Sequence, residues 1–88
     1  HGGKDPGALG KNSREKDITL KLAMQTGKLI SENIPNVKIV YTRSTDVFIE
    51  LHQRAKIAND ARADLFISIH CNANKNKTPR GLLCAVFC

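Results

Sequence analysis

Two observations on the sequence predict an α/β fold, with a mostly parallel sheet flanked by helices in three layers. Segments typical of strands alternate with segments typical of helices, an order that favours parallel strands joined by helical crossovers. The run LFISI at 65–69 is almost continuously apolar, as in strands that are covered on both faces. The length of 88 residues allows one domain at most.

The first part of the chain predicts a loop followed by a helix. Residues 1–14 are rich in Gly, Lys and Asp, which favours a loop. Asn12 or Ser13 is a candidate helix cap, and Glu15 follows Asn12 at the spacing of a capping box. A helical pattern then continues to Asn33. Its apolar stripes comprise Ile18, Leu22, Ala23, Gly27, Leu29, Ile30 and Ile34.

The remaining elements alternate in type. The segment 37–42 (VKIVYT) is β-branched and aromatic, which predicts a strand. A second helix is expected over 49–61, with Leu51, Ala55 and Ala58 facing inward. The sequence then predicts a strand over 63–70, a polar loop over 72–81 and a strand over 81–88.

Both ends of the sequence lack the usual boundary signals. The chain opens on His1 inside a Gly-rich loop and closes on an apolar run that ends at Cys88. We therefore expect residues 1–88 to be a partial domain, a truncated fragment of a longer protein.

Composition excludes several classes of protein. With 41% hydrophobic and 25% charged residues, the chain is globular rather than disordered. The net charge of +6 attracts polyanions such as nucleic acid, anionic lipid or cell-wall polymer. Few aromatic residues are available to stack on bases, which disfavours nucleic acid, and no apolar run is long enough for a membrane span. A small basic cluster in the predicted loop is expected to be solvated: Lys75, Lys77 and Arg80.

The three cysteines do not predict a disulfide framework or a cysteine zinc site. Cys84 and Cys88 lie four apart in a predicted strand, about 13 Å from each other, which is too far for a disulfide. No pair has the short spacing of a zinc knuckle. We expect these two residues and Cys71 to behave as small hydrophobic side chains.

Three residues are candidates for a metal site. His70 ends the apolar strand at the edge where α/β sheets bind ligands. His1 heads a Gly-rich loop, and Glu15 begins the first helix. Singly, each has a structural alternative: a loop hydrogen bond for His70, a terminal residue without function for His1, and the capping box for Glu15. Together they match catalytic zinc sites, which commonly have three protein ligands and a fourth position for water, although their spacing alone is a weak signal.

Five successive blocks of the sequence resemble the zinc-dependent N-acetylmuramoyl-L-alanine amidases, a family of bacterial cell-wall hydrolases. The blocks cover about residues 1–73 and are HGGKDPGALG, REKDITLKLA, YTRSTD, L-x-x-R-x-x-x-A-N at 51–59, and ADLFISIHCNA. The resemblance implies that His1, Glu15 and His70 bind Zn²⁺. It also implies the three-layer α/β fold.

The resemblance further implies a reaction, the hydrolysis of the amide bond between N-acetylmuramic acid and L-alanine in peptidoglycan. Zinc is expected to polarise the scissile carbonyl and to activate the attacking water. A general-base glutamate is expected beyond Cys88. The position of peptidoglycan implies a periplasmic or extracellular location, and no sequence feature identifies a protein activator.

Two other functions remain open: a non-catalytic cell-wall-binding module on the same fold, and a small basic nucleic-acid-binding domain. Asn72 is a candidate substrate-binding residue, with local backbone hydrogen bonding as the alternative. Arg43 and Asp46 are expected to pair with each other, and His52 is expected on the surface of the second helix.

Overall fold

The computed structural model describes residues 1–72 and 81–87. The elements, in chain order, are α1 (Glu15–Asn33), α2 (Leu51–Asp60), β1 (Phe66–Asn72) and β2 (Gly81–Phe87). Both predicted helices and the last two predicted strands are therefore present, with ends close to those expected. Most of the predicted loop 72–81, including its basic cluster, lies outside the described residues, as do Cys88 and the side chain of Cys84.

Helix α1 begins without the side-chain cap that the sequence predicts. Arg14, in an extended conformation, precedes the helix, and no side chain caps the first turn. The predicted capping box between Asn12 and Glu15 is wrong, because the Glu15 carboxylate accepts hydrogen bonds from the backbone N–H groups of Ala8 and Cys71. The first residue of α1 is therefore tied to the preceding loop and to strand β1.

The sheet within the described residues is an antiparallel pair of strands. Strand β1 pairs with β2 in a register that places Phe66 opposite Phe87 and Asn72 opposite Gly81. The segment 37–42 forms no strand, although its β-branched residues predict one. A strand needs a neighbour to accept and donate its backbone hydrogen bonds, and the described part of the chain places none beside this segment.

Polar rather than apolar side chains are buried in the described structure. The buried residues with polar side chains are Glu15, Lys16 and Thr19, all near the start of α1, and no apolar side chain among the described residues is buried. Leu51 is 79% exposed and Ala55 is also exposed, so their predicted inward orientation is wrong in this structure, whereas Ala58 is half-buried. Leu29, on an apolar stripe of α1, is 61% exposed. No helix in the described ranges has the length and apolar character of a membrane span.

Candidate metal centre

Glu15 lies at the centre of the candidate site. Its carboxylate is almost fully buried, at 4% exposure. Oε2 accepts the backbone N–H of Ala8 at 2.8 Å, and Oε1 accepts the backbone N–H of Cys71 at 2.9 Å. Because the two donors come from the N-terminal loop and from β1, they hold the carboxylate between these two elements.

The surroundings of Glu15 favour its charged form. Burial has the largest single influence and raises the pKa of Glu15, but the hydrogen bonds from Ala8 and Cys71 and the charges of the two nearby histidines lower it. The net result is a pKa below the ordinary glutamate value. Glu15 is therefore an ionised carboxylate at neutral pH, which is the form that binds a metal.

His1 is oriented by a second carboxylate. Its Nε2 lies 3.1 Å from Glu15 Oε1, and its Nδ1 lies 3.0 Å from Asp5 Oδ2. The hydrogen bond to His1, followed by the backbone N–H of Gly7, lowers the pKa of Asp5. When Nδ1 donates its proton to the ionised Asp5, Nε2 has a lone pair that can bind a metal.

His70 is oriented by the serine two residues before it in β1. Residues two apart in a strand share a face of the sheet, and Ser68 Oγ lies 2.7 Å from His70 Nε2. His70 Nδ1 lies 3.5 Å from Glu15 Oε1. When the Nε2 proton is donated to Ser68, Nδ1 is free to act as a ligand.

The three predicted residues converge, and their donor atoms suit a divalent metal. One atom from each of His1, Glu15 and His70 can be chosen so that all three atoms lie within 4.8 Å of one another. Two imidazole nitrogens and one carboxylate oxygen form a ligand set typical of catalytic zinc. The contacts of Asp5 and Ser68 with the outer ring nitrogens are those that orient histidine ligands in metal sites.

The neighbouring cysteine does not belong to this group. Cys71 is a half-buried free cysteine that follows His70 in β1. Burial, and to a lesser extent the charge of Glu15, raises the pKa of the Cys71 thiol. Cys71 is not among the residues whose donor atoms converge, because consecutive residues of a strand point to opposite faces of the sheet.

The other predicted residues lie away from this group or have different partners. His52 is exposed on α2, as predicted. Asn72 ends β1, and its contact with substrate stays a prediction. The predicted Arg43–Asp46 pair is replaced: Asp46 pairs with Lys16 at 2.8 Å, whereas Arg43 donates to the backbone carbonyls of Lys16 and Thr45.

Sequence reasoning did not identify the residues that orient the two histidines. The Asp-Pro-Gly triplet that contains Asp5 is typical of a turn. The turn accounts for the aspartate locally, so nothing in the sequence indicated its contact with His1. Ser68 could have been found, because it precedes His70 by two residues in a predicted strand and therefore shares its face. Lys16 carries no local signal of burial.

Comparison with known proteins gives a consistent set of relatives. A family model described as N-acetylmuramoyl-L-alanine amidase matches residues 1–86. The chain is 46% identical over 82 residues to the N-acetylmuramoyl-L-alanine amidase AmiC of Escherichia coli, a match that covers 92% of the chain and 19% of that protein. It is 46% identical over 81 residues to an endolysin of Bacillus phage SPP1, which covers 92% of the chain and 28% of the endolysin.

A third relative is a putative N-acetylmuramoyl-L-alanine amidase of Buchnera aphidicola, 42% identical over 83 residues, or 93% of the chain and 38% of that protein. The chain thus spans less than two fifths of the length of each of these three relatives. No solved structure matches the chain significantly.

Proposed function

The chain belongs to the N-acetylmuramoyl-L-alanine amidase family, and on this premise we propose that it hydrolyses the amide bond between N-acetylmuramic acid and L-alanine in peptidoglycan with Zn²⁺ as cofactor. The observation that carries the proposal is the convergence of His1, Glu15 and His70 within 4.8 Å. Residues 1–88 are proposed to form part of the catalytic domain.

Hydrogen bonds position the side chains of the proposed ligands. Asp5 and Ser68 hold the outer nitrogens of the two imidazoles, and backbone N–H groups hold both oxygens of Glu15. When bound, the metal supplies a Lewis acid for the scissile carbonyl and lowers the pKa of water. Because these side chains are fixed by hydrogen bonds, little rearrangement is needed to bring them to one ion.

Glu15 is proposed as a ligand and not as the general base. Its pKa lies below the ordinary value, whereas a general base at neutral pH works best with a pKa near the operating pH. Both of its oxygens also accept backbone hydrogen bonds. The general-base glutamate that the family resemblance implies beyond Cys88 stays a prediction.

The three-layer, mostly parallel fold is part of the proposal. Support comes from the exposed apolar residues of the segment predicted as a strand, because Val37 and Val40 are 42% and 48% exposed. Exposed apolar surface of this kind is expected where further strands and helices pack in a complete α/β domain.

A periplasmic or extracellular location is proposed because peptidoglycan lies there. The net charge of +6 favours an anionic cell-wall polymer as the partner. Asn72 is kept as the proposed substrate-binding residue, at the end of the strand that carries His70.

The test compares His70→Ala with His52→Ala in the purified intact protein. Zinc content is measured by mass spectrometry, and the release of stem peptides from purified sacculi is measured by chromatography. We expect about one zinc per chain in the wild type and in His52→Ala, whose imidazole is exposed on α2, and loss of both zinc and activity in His70→Ala.

Each alternative gives a different result. A protein that binds sacculi but releases no stem peptides would be a wall-binding module. A wild type without zinc, unaffected by His70→Ala, would contradict the proposed metal site. Steeply salt-dependent binding to DNA would instead support the nucleic-acid-binding alternative.

A further inference from the structure

The loop that carries His1 is fastened to a distant segment by a single carboxylate. Asp46 Oδ1 accepts the backbone N–H of Gly3 at 2.7 Å, and Asp46 Oδ2 accepts Lys16 Nζ at 2.8 Å. Lys16 Nζ also donates to the carbonyl of Gly3 at 3.0 Å. Both backbone polar groups of Gly3 are therefore engaged, and we refer to Gly3, Lys16 and Asp46 as the Asp46 clamp.

The backbones that the Asp46 clamp joins are in direct contact. A Cβ atom on Gly3 would lie 2.8 Å from the backbone nitrogen of Phe48, and one on Gly2 would collide with the carbonyl oxygen of Val47. Only glycine allows this approach. Because Gly2 adjoins His1, the position of His1 depends on how the loop rests against the segment that contains Asp46.

The same segment also holds the start of α1. Lys16 is 6% exposed and follows Glu15 in the chain. The guanidinium of Arg43 donates through Nη2 to the Lys16 carbonyl at 2.8 Å. The segment 43–46 thus contacts the loop that carries one proposed ligand and the residue next to another, and it can fix the distance between the two.

We propose that Asp46 is a positioning residue for the metal site, which sets His1 relative to Glu15 through Gly3 and Lys16. This inference rests on the proposed function. Exposed ion pairs usually contribute little, and Asp46 is itself 53% exposed. Its partners differ from those of a surface pair, because its removal leaves the backbone N–H of Gly3 without this acceptor and leaves the buried Lys16 ammonium group with the Gly3 carbonyl but no anionic partner.

The structure offers a matched control on α2. Asp60 Oδ2 accepts Lys56 Nζ at 2.7 Å, and both side chains are exposed. Asp60→Asn therefore makes the same chemical change to an Asp–Lys pair of similar length that touches neither the N-terminal loop nor α1. Asp46→Asn and Asp60→Asn are each compared with the wild type.

The measurement is the dissociation constant for Zn²⁺ alone, obtained by competition with a chromophoric chelator. We expect about tenfold weaker Zn²⁺ binding in Asp46→Asn, the size typical when a residue that orients metal ligands is replaced. We expect no change in Asp60→Asn. The visible absorption spectrum of the Co²⁺-substituted protein gives a second readout, and we expect Asp46→Asn to alter its bands because the geometry of the ligands changes.

Two results together would overturn the positioning role of Asp46 and leave the proposed function standing. The first is a Zn²⁺ affinity of Asp46→Asn within about twofold of the wild type, as expected for an ordinary exposed pair. The second is an unchanged Co²⁺ spectrum. A wild type that binds no Zn²⁺ would overturn the proposed function and this inference with it. If circular dichroism shows that Asp46→Asn has lost α1, Asp46→Glu is measured against the same thresholds, since it keeps the charge and displaces the carboxylate.

Discussion

The imidazole rings of His1 and His70 meet edge to face, with centroids 5.6 Å apart and planes at 89°. They present different nitrogens to the same oxygen, since His1 Nε2 and His70 Nδ1 lie 3.1 and 3.5 Å from Glu15 Oε1. The other nitrogen of each ring contacts a different neighbour, Asp5 for His1 and Ser68 for His70. The two contacts can therefore be tested separately.

Asp5→Ala removes the carboxylate that accepts the His1 Nδ1 proton. We expect Zn²⁺ affinity to fall by about 10–100-fold, because the ring loses the partner that fixes its orientation and tautomer. Asp17→Ala is the matched control, since Asp17 pairs with Arg14 on the exposed surface at 2.7 Å. Equal Zn²⁺ affinities for the two variants, measured by chelator competition, would contradict this account.

Ser68→Ala tests the corresponding contact of His70. The hydroxyl is neutral and binds its ring nitrogen at 2.7 Å, so its loss is expected to cost about tenfold in Zn²⁺ affinity, the lower end of the range for such contacts. Ser31→Ala, on the exposed surface of α1, provides the control. Nuclear magnetic resonance of the His70 ring nitrogens should show a mixture of tautomers in Ser68→Ala, and a single unchanged tautomer would argue against a role for Ser68.

Gly7→Ala is expected to displace the ligands themselves. Gly7 has φ of 70°, and a Cβ atom there would lie 2.7 Å from both His1 Cγ and Glu15 Oε2. The backbone strain alone costs about 1–3 kcal/mol, and we expect loss of Zn²⁺ binding in equilibrium dialysis. Gly10→Ala should retain binding, because the close contact of its Cβ atom, 2.6 Å, would be with the Ser13 side-chain hydroxyl and not with a proposed ligand.

The convergence of His1, Glu15 and His70 could be predicted from the sequence only because the chain resembles the amidases. Their separation along the chain matches no short metal motif, so no local pattern reports it. The capping-box prediction failed because a carboxylate at a helix start can also turn toward another element, and here Glu15 receives N–H groups from Ala8 and Cys71. The role of His1, Glu15 and His70 as metal ligands stays a prediction.

The helices were predictable because apolar residues recur at helical spacing over 15–33 and 51–60. The direction of strand pairing was not predictable, because an apolar run such as 65–69 can pair with a parallel or an antiparallel neighbour. The described sheet pairs β1 with β2 in the antiparallel sense. Pairing between distant segments depends on contacts that no short window of sequence contains.

Gly27→Ala tests the packing of α1 against the segment 37–42. Alanine normally stabilises a helix interior by about 1 kcal/mol relative to glycine. At this position the added Cβ would collide with the hydroxyl of Tyr41, so we expect a net loss of about 1–3 kcal/mol from overpacking. Thermal denaturation of the purified protein measures the change, with the exposed Gln25→Ala as control. Stabilisation by Gly27→Ala would show that Tyr41 does not pack there.

Acid unfolding of the metal-free protein tests the energetic link between Asp46 and Lys16. The hydrogen bond from Lys16, followed by the backbone N–H of Gly3, lowers the pKa of Asp46 below its ordinary value of 3.8. A carboxyl group with a lowered pKa in the folded state contributes its stabilisation fully above the unfolded value and loses it as the pH falls through the folded value. The difference in melting temperature between the wild type and Asp46→Asn should therefore be constant near neutral pH and should narrow below pH 3.8. Because the two proteins share every other titrating group, a difference that stays constant into strong acid would show that the Asp46 carboxylate is not coupled to folding.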